Sequence, residues 1–242
     1  MNTLTIATVC GPSYEKFLDS WKKHIPGWVT TIIEKDDSKG IYEAKLKILQ
    51  NCNTDYIWFV DVDDTISKDF TEWYFNSITA RYADKFLVGN GCGLWNYIFK
   101  TSFIKRCFKE VEEAKAKENI KTLDIITCED ILILITKTFQ KSYDTLTNKN
   151  LIEHTINDSS VTSSSNYDLN KLKRLYRNCT DLTKVARHID YEQIKIIFLA
   201  NCYNQYWHLY RRYIKRDEIE ACDNFIMKTY KEVFESLEER NE

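Results

Sequence analysis

A chain of 242 residues, 43% of them hydrophobic, is long enough to bury a large core, and one main domain with a smaller appendage is the natural expectation. A formal net charge of −2, with no Lys/Arg cluster dominating the chain, excludes a general nucleic-acid or polyanion binder. Eight cysteines without CxxC or His-paired spacing exclude a zinc module and read as small buried hydrophobes in a reducing compartment. Met1 to Cys10 lacks the pattern of a leader, and no stretch approaches the ~20 apolar residues that a bilayer span needs, so a soluble, cytoplasmic protein is expected.

Leu4 to Cys10 reads as a first strand, closed by Gly11-Pro12. Ser13 is the expected N-cap of a helix whose apolar face is Tyr14, Phe17, Leu18 and Trp21, at i, i+3, i+4 and i+7. Pro26-Gly27 ends it, and Val29 to Ile33 supplies a second strand that runs into the polar segment Glu34 to Gly40. A β-α-β unit at the start of the chain favours a parallel sheet with a nucleotide at its carboxyl edge. Gly40 to Leu49 is helical by periodicity and leads into Tyr56-Ile57-Trp58-Phe59-Val60. This run is too short for a helix and rich in aromatic and β-branched types, so it reads as a strand buried on both faces. It stops on Asp61, Asp63 and Asp64. Ligands of open α/β sheets lie beyond the carboxyl ends of the strands, so these acids stand where a ligand is held. Carboxylates at this spacing suit magnesium or manganese, and a plain polar turn is the alternative.

Ser67 is the expected cap of the next helix, with Phe70, Trp73, Tyr74, Ser77 and Ile78 on its inner face. Phe86 to Val88 is a short strand. Residues 89–93 then hold three of the six glycines of the chain, which marks backbone that bends sharply or closely approaches a ligand. Leu94 to Ile104 comes next, then an amphipathic helix through Phe103, Ile104, Cys107, Phe108 and Val111, then a charged, solvated stretch from Glu112 to Lys121. Thr127-Cys128-Glu129-Asp130-Ile131 opens an apolar helix, with acids suited to its positive end. Leu151 to His154 leads into a serine-rich stretch that reads as a lid or a linker.

From Tyr167 the periodicity predicts three helices, near 167–188, 190–214 and 217–240. Residues 168–216 contain eleven Lys/Arg against four Asp/Glu, and 217–242 contain three against nine, so the last two helices favour antiparallel pairing. The aromatic and basic face of the middle helix suits a homodimer, a lipid-linked acceptor at the inner face of the membrane, or the main domain. Residues 1–165 are expected to form the catalytic domain and 166–242 an α-helical module.

Two enzyme families carry acids in this pattern. Asp61-Val62-Asp63-Asp64-Thr65 resembles the first motif of haloacid-dehalogenase-type phosphatases, in which Asp61 would be the nucleophile and Asp63 the general acid. That family places an acidic pair after a later apolar strand, whereas here Glu129-Asp130 comes before the apolar run Ile131 to Ile135. The same residues, preceded by Glu34-Lys35-Asp36-Asp37-Ser38-Lys39-Gly40-Ile41-Tyr42-Glu43-Ala44, are similar to the family 2 glycosyltransferase pattern E-P-D-K-G-I-Y-D-A…G-D-Y-I-x-F-L-x-x-D-D. The phosphatases have no counterpart to the first half, so the glycosyltransferase resemblance is preferred. Trp95-Asn96-Tyr97-Ile98-Phe99-Lys100 resembles that family's W-N-K-L-Y-(K/R) segment, and Thr127 to Ile131 its G-E-D motif. Residues 151–165 match the family's ending more loosely. The chain departs in carrying Lys45-Leu46 where Arg-Asn or an Asn pair is usual, and in lacking one β-α unit.

The resemblance implies a GT-A-like, Rossmann-type α/β fold with a mixed, mostly parallel sheet flanked by helices. It implies transfer of a sugar, with inversion, from a nucleotide-sugar, foremost a UDP-sugar, to a hydroxyl of a glycan, glycolipid or other acceptor. Asp61 and Asp63 would hold Mn2+ or Mg2+, and Thr8, Glu34 or Asp36, Lys45 and Asp61 would contact the donor. Trp95, Asn96 and Glu129 would face the acceptor, His154 the diphosphate, and Asp130 would be the general base. Assembly of surface polysaccharide or lipooligosaccharide is the expected setting. A viral DNA-modifying glycosyltransferase and a non-catalytic sugar-nucleotide-binding protein are the alternatives.

Overall fold

The computed structural model describes residues 2–36, 40–78, 83–89, 93–121 and 150–153, with 123, 136, 143–144, 155, 181, 184–185 and 188. The chain divides into two compact units, Met1–Glu113 with Lys121–Ile156, and Ala114–Ile120 with Asn157–Glu242. The first unit carries the sheet.

Its elements are β1 (Leu4–Cys10), α1 (Leu18–His24), β2 (Thr30–Lys35), α2 (Ile41–Asn51), β3 (Tyr56–Phe59), β4 (Thr65–Ile66) and α3 (Phe70–Ser77). After these come β5 (Lys85–Leu87), β6 (Tyr97–Lys100), α4 (Thr101–Lys117, whose last turn falls in the second unit), β7 (Tyr143–Asp144) and β8 (Ile152–Glu153). Six strands form one sheet in the order β2-β1-β3-β6-β5-β7. β1 pairs parallel with β2 and β3, and β5 with β7, while β6 runs antiparallel to both of its neighbours. The sheet is therefore mixed and mostly parallel, with one reversed strand.

All four residues of β3 are buried, as expected of a continuous apolar run between two paired neighbours. Successive side chains alternate between the faces of a strand, and they do so here. Leu4, Ile6, Tyr56 and Trp58 join one cluster with Trp21 of α1 and Phe70 and Tyr74 of α3, and the Trp58 and Phe70 rings lie 4.9 Å apart. Phe59, the next residue, turns to the other face and takes the ammonium of Lys45 of α2 at 5.7 Å from its ring centroid. On α2, Tyr42 stacks on Phe108 of α4 at 5.2 Å. Helices thus cover both faces of the sheet.

A two-stranded ribbon stands beside the sheet. β4 pairs antiparallel with β8, with Thr65 opposite Glu153 and Ile66 opposite Ile152. Leu151 joins it to the rest: its N–H donates to the Val88 carbonyl (2.8 Å), and its carbonyl accepts from the Ser67 N–H (3.0 Å). Gly89 lies under this seam, where an added Cβ would meet Asn96 Oδ1 and, at 2.8 Å, Ile152 Cγ2. Close approach explains that glycine.

Three local expectations are corrected. Pro12–Phe17 is a 3-10 turn entered from Gly11, so Ser13 lies inside it and caps nothing; proline at the first helical position suits such an entry. α3 begins after Asp69, and the Ser67 hydroxyl instead accepts from the Asp69 N–H at 3.3 Å. The stretch 112–121 is not all solvated: α4 continues to Lys117, and Ala114 and Lys115 are buried. α4 ends where Asn119 takes φ 56°, with Ile120 N–H to Lys115 O at 2.9 Å and Asn119 N–H to Ala116 O at 3.3 Å. This is the Schellman arrangement, with asparagine in the left-handed position. In the second unit, His188 Nε2 lies 2.6 Å from Glu118 Oε1.

Cys10, Cys52 and Cys107 are buried free thiols, and burial pushes Cys107 up to about 12. Among the described residues no helix is long and apolar enough to cross a membrane. Of the expected helices after Thr127 and Tyr167 only 136, 181, 184, 185 and 188 are described, the first four as helix, and the lid or linker at 157–165 lies outside the described residues.

Candidate active site

The chain passes from β1 to β2 on one side, then returns to place β3 on the other side of β1. Where strand order reverses in this way, the connections diverge and leave a crevice at the carboxyl edge. The ends of β1 and β3 reach this edge, together with the first residues beyond each strand. The ladder carries past β3, with Val60 N–H donating to Ala7 O at 2.9 Å, and the chain then turns, with Asp64 N–H donating to Asp61 O at 3.0 Å. Asp61 and Asp63 are half-buried on this turn, whereas Asp64 is buried. Asp64 Oδ1 accepts the Thr155 N–H at 3.0 Å.

Thr8 is buried near the end of β1, and among the described residues its hydroxyl has no hydrogen-bond partner. Glu34 is on β2 opposite Val9, one residue out of step with Thr8, so the two side chains take opposite faces of the sheet. On its face Glu34 accepts from Lys47 Nζ of α2 at 3.0 Å. Asp36 lies beyond β2: its N–H donates to Cys10 O at 3.1 Å, and its Oδ1 accepts from the Gly40 N–H at 3.3 Å. Gly40 has φ 97°, a left-handed value that suits glycine, and stands at the start of α2. Asp36 therefore sits at the carboxyl edge beside the positive end of a helix. Lys45 is buried on α2 with its ammonium toward Phe59. Burial raises the Cys10 thiol above its usual range, with a smaller push from Glu15.

The reversed strand brings the segment from Leu94 to Lys100 to the same edge. β6 pairs Trp58 with Ile98 and Tyr56 with Lys100, so the 3-10 turn Leu94–Asn96 that precedes it lies at the carboxyl end of β3. Trp58 Nε1 donates to Trp95 O at 2.6 Å and fixes that turn. The Trp95 side chain is half-buried. Asn96 is fully buried toward Gly89, and among the described residues neither atom of its carboxamide has a partner. In this arrangement it faces the seam below β8, away from solvent. Glu129, Asp130 and His154 lie outside the described residues.

Sequence reasoning missed the part played by Asp64. The doublet Asp63-Asp64 was a visible signal, but only burial and the bond to Thr155 separate the second acid from the first. Among the described residues no group of three or more His, Cys, Asp or Glu forms a cation cage.

Sheet order and the helices on both faces define a Rossmann-type α/β protein. Among solved structures the chain is similar to S. aureus TarS 1-349 in complex with UDP-GlcNAc, at TM-score 0.60 and 12% identity over 89% of this chain and 77% of that one. The UDP complex of TarS 1-349 is similar at TM-score 0.53 and 13% identity, over 89% and 76%. The glycosyltransferase GlyE of Streptococcus pneumoniae TIGR4 lies further off, at TM-score 0.45 and 11% identity over 89% and 66%. At these identities the likeness to TarS shows the fold. No family model matches the chain, and no curated protein matches it in sequence.

Proposed function

We propose that this chain is an inverting, metal-dependent glycosyltransferase of the family 2 type, moving a sugar from a UDP-sugar to a hydroxyl acceptor. What supports this reading is that the carboxyl ends of β1, β2 and β3 carry Thr8, Asp36, Asp61 and Asp63 to one edge of the sheet, in a fold shared with a protein in complex with UDP-GlcNAc. Asp36 is preferred to Glu34 for the nucleoside, because Glu34 is held by Lys47 on the α2 face. Among the described residues the Thr8 hydroxyl has no partner, and the Lys45 ammonium adds positive charge near the strand end.

Two half-buried carboxylates fit Mn2+ or Mg2+ in the manner of cations that take one or two protein ligands and complete their shell with phosphate oxygens and water. Asp61 and Asp63 would hold the ion, which when bound offsets charge on the departing diphosphate. Asp130 takes the proton of the acceptor hydroxyl as that oxygen attacks the anomeric carbon. The bond from that carbon to the diphosphate breaks on the opposite side, so configuration inverts and the nucleoside diphosphate leaves. By the family resemblance Trp95 and Glu129 would serve the acceptor and His154 the diphosphate. Glycans or glycolipids of surface polysaccharide are the acceptors that best suit this reading.

A thermal-shift screen of nucleotide-sugars with and without Mn2+ tests the donor half. Stabilisation by UDP-sugars that requires the metal is expected, and a chain that no nucleotide stabilises would sink the proposal. Asp130→Asn tests the chemistry. Removing a general base costs on the order of 100-fold to 10,000-fold in rate, with donor affinity little changed. Near-normal turnover in that variant, or a retained configuration in the wild-type product, would show that the proton leaves by another route.

A further inference from the structure

Of the three acids beyond β3, the last is distinct: Asp61 and Asp63 are half-buried, whereas Asp64 is 2% exposed. Its backbone N–H closes the turn on Asp61 O at 3.0 Å, and its carboxylate accepts the N–H of Thr155 at 3.0 Å. We infer that Asp64 is a positioning residue and not a cation ligand: it clasps the turn bearing Asp61 and Asp63 to the backbone just past β8. A carboxylate accepting a backbone N–H makes a stronger bond than a neutral pair, and this one is part-buried. The clasp bridges 91 residues of sequence.

The rest of the ribbon completes the frame. β4 leaves the turn directly and pairs with β8, and Leu151 ties β8 to Val88 and Ser67. The acid turn is thus held at its start by the β1–β3 ladder and at its end by the β4–β8 ribbon, where the Asp64 carboxylate adds one more bond just beyond the last pair. Thr155 is itself exposed, so its amide owes its protection from solvent exchange to this one acceptor. Whatever shifts the chain after β8 moves the turn with it. The functional part of this inference rests on the cation and diphosphate reading of Asp61 and Asp63.

The test is amide exchange at Thr155 together with Mn2+-dependent UDP affinity, in the full chain and in Asp64→Ala, Asp64→Asn and Thr155→Pro. Asp64→Ala is expected to speed exchange at Thr155 at least ~10-fold, leave the Leu151 amide protected, and weaken UDP binding ~10-fold. Asp64→Asn keeps an acceptor oxygen and should restore both to within ~3-fold of wild type. Thr155→Pro removes the donor from the other side, should weaken UDP binding as Asp64→Ala does, and carries the binding test if Asp64→Ala does not fold. Two results overturn the clasp: a Thr155 amide that stays protected in Asp64→Ala, or UDP binding lost in Asp64→Asn while Thr155→Pro binds normally. The second would make Asp64 a ligand acting through its charge. A wild-type chain without Mn2+-dependent UDP affinity would refute the functional reading alone, and exchange at Thr155 would still decide the clasp.

Discussion

At the scale of single residues, carboxylates stand at both ends of β3. At the amino end, Asp55 Oδ2 accepts from the N–H (2.7 Å) and the hydroxyl (2.8 Å) of Thr3. The backbone donor first and the hydroxyl second hold its pKa below the usual carboxylate value. A depressed folded-state pKa stabilises the fold above the unfolded value of 3.8, and that contribution is lost as pH falls through the lower folded value. Asp55→Asn should therefore be less stable than wild type at pH 6, with the gap closing below pH ~4, as read from urea midpoints across pH. A gap independent of pH would mean that the contact does not act through charge. At the carboxyl end, Asp63→Ala should remove the stabilisation that UDP gives in the presence of Mn2+, about 2.7 kcal/mol at a ligand concentration of 100 Kd. Unchanged metal-dependent shifts in that variant would count against its role as ligand.

At the scale of elements, the stack of Tyr42 on Phe108 joins α2 to α4 beneath the sheet, with both rings essentially without exposure. Phe108→Ala should cost about 3–5 kcal/mol by leaving a cavity that such a packed layer fills only in part. Urea unfolding should show a lower midpoint at unchanged slope, and a loss under 1 kcal/mol would show the layer to be loosely packed. The longer elements were legible because their signals are local. Leu4 to Cys10 was bounded by Gly11-Pro12 and emerged over the expected residues, and β3, α2 and the apolar face of α4 came from period and length. β4 and β8, two residues each, give no periodicity and exist through pairing with one another. β6 is the short apolar run Tyr97 to Phe99 with Lys100, where period alone cannot separate strand from helix, and its direction is a property of its neighbours. The caps failed because serine beside a helix start is a common arrangement with several local bonding choices, and here the backbone took others.

At the scale of the whole molecule, the sheet edge legible in the sequence was the acidic one, since apolar strands ending in aspartates declare themselves. Burial was not legible. Nothing in the residue types distinguishes Asp64 from Asp63, or shows that Asn96 turns inward and Lys45 is enclosed, because each depends on elements distant in sequence. The boundary between a catalytic domain at 1–165 and a helical module at 166–242 is a proposal that a truncation tests. Thr8, Asp36, Asp61, Asp63 and Thr155 all belong to the first unit, so a chain lacking 167–242 should keep its metal-dependent UDP shift. The second unit also takes in Ala114–Ile120, so the truncated chain should melt earlier than the full one. An insoluble or unfolded truncation would place those helices within the core.

The reversed strand has a consequence for how such a molecule can diversify. Because β6 opposes β5, with Lys85 opposite Phe99 and Leu87 opposite Tyr97, the connection between them leaves and re-enters the sheet at one place, on the rim that carries the acids. Its length is uncoupled from the register of every strand. Residues added or lost between Gly89 and Gly93 would remodel the neighbourhood of Trp95 while every ladder stayed in step. On the proposed function the connection would work as a socket, into which a different acceptor preference could be fitted without refolding the protein behind it.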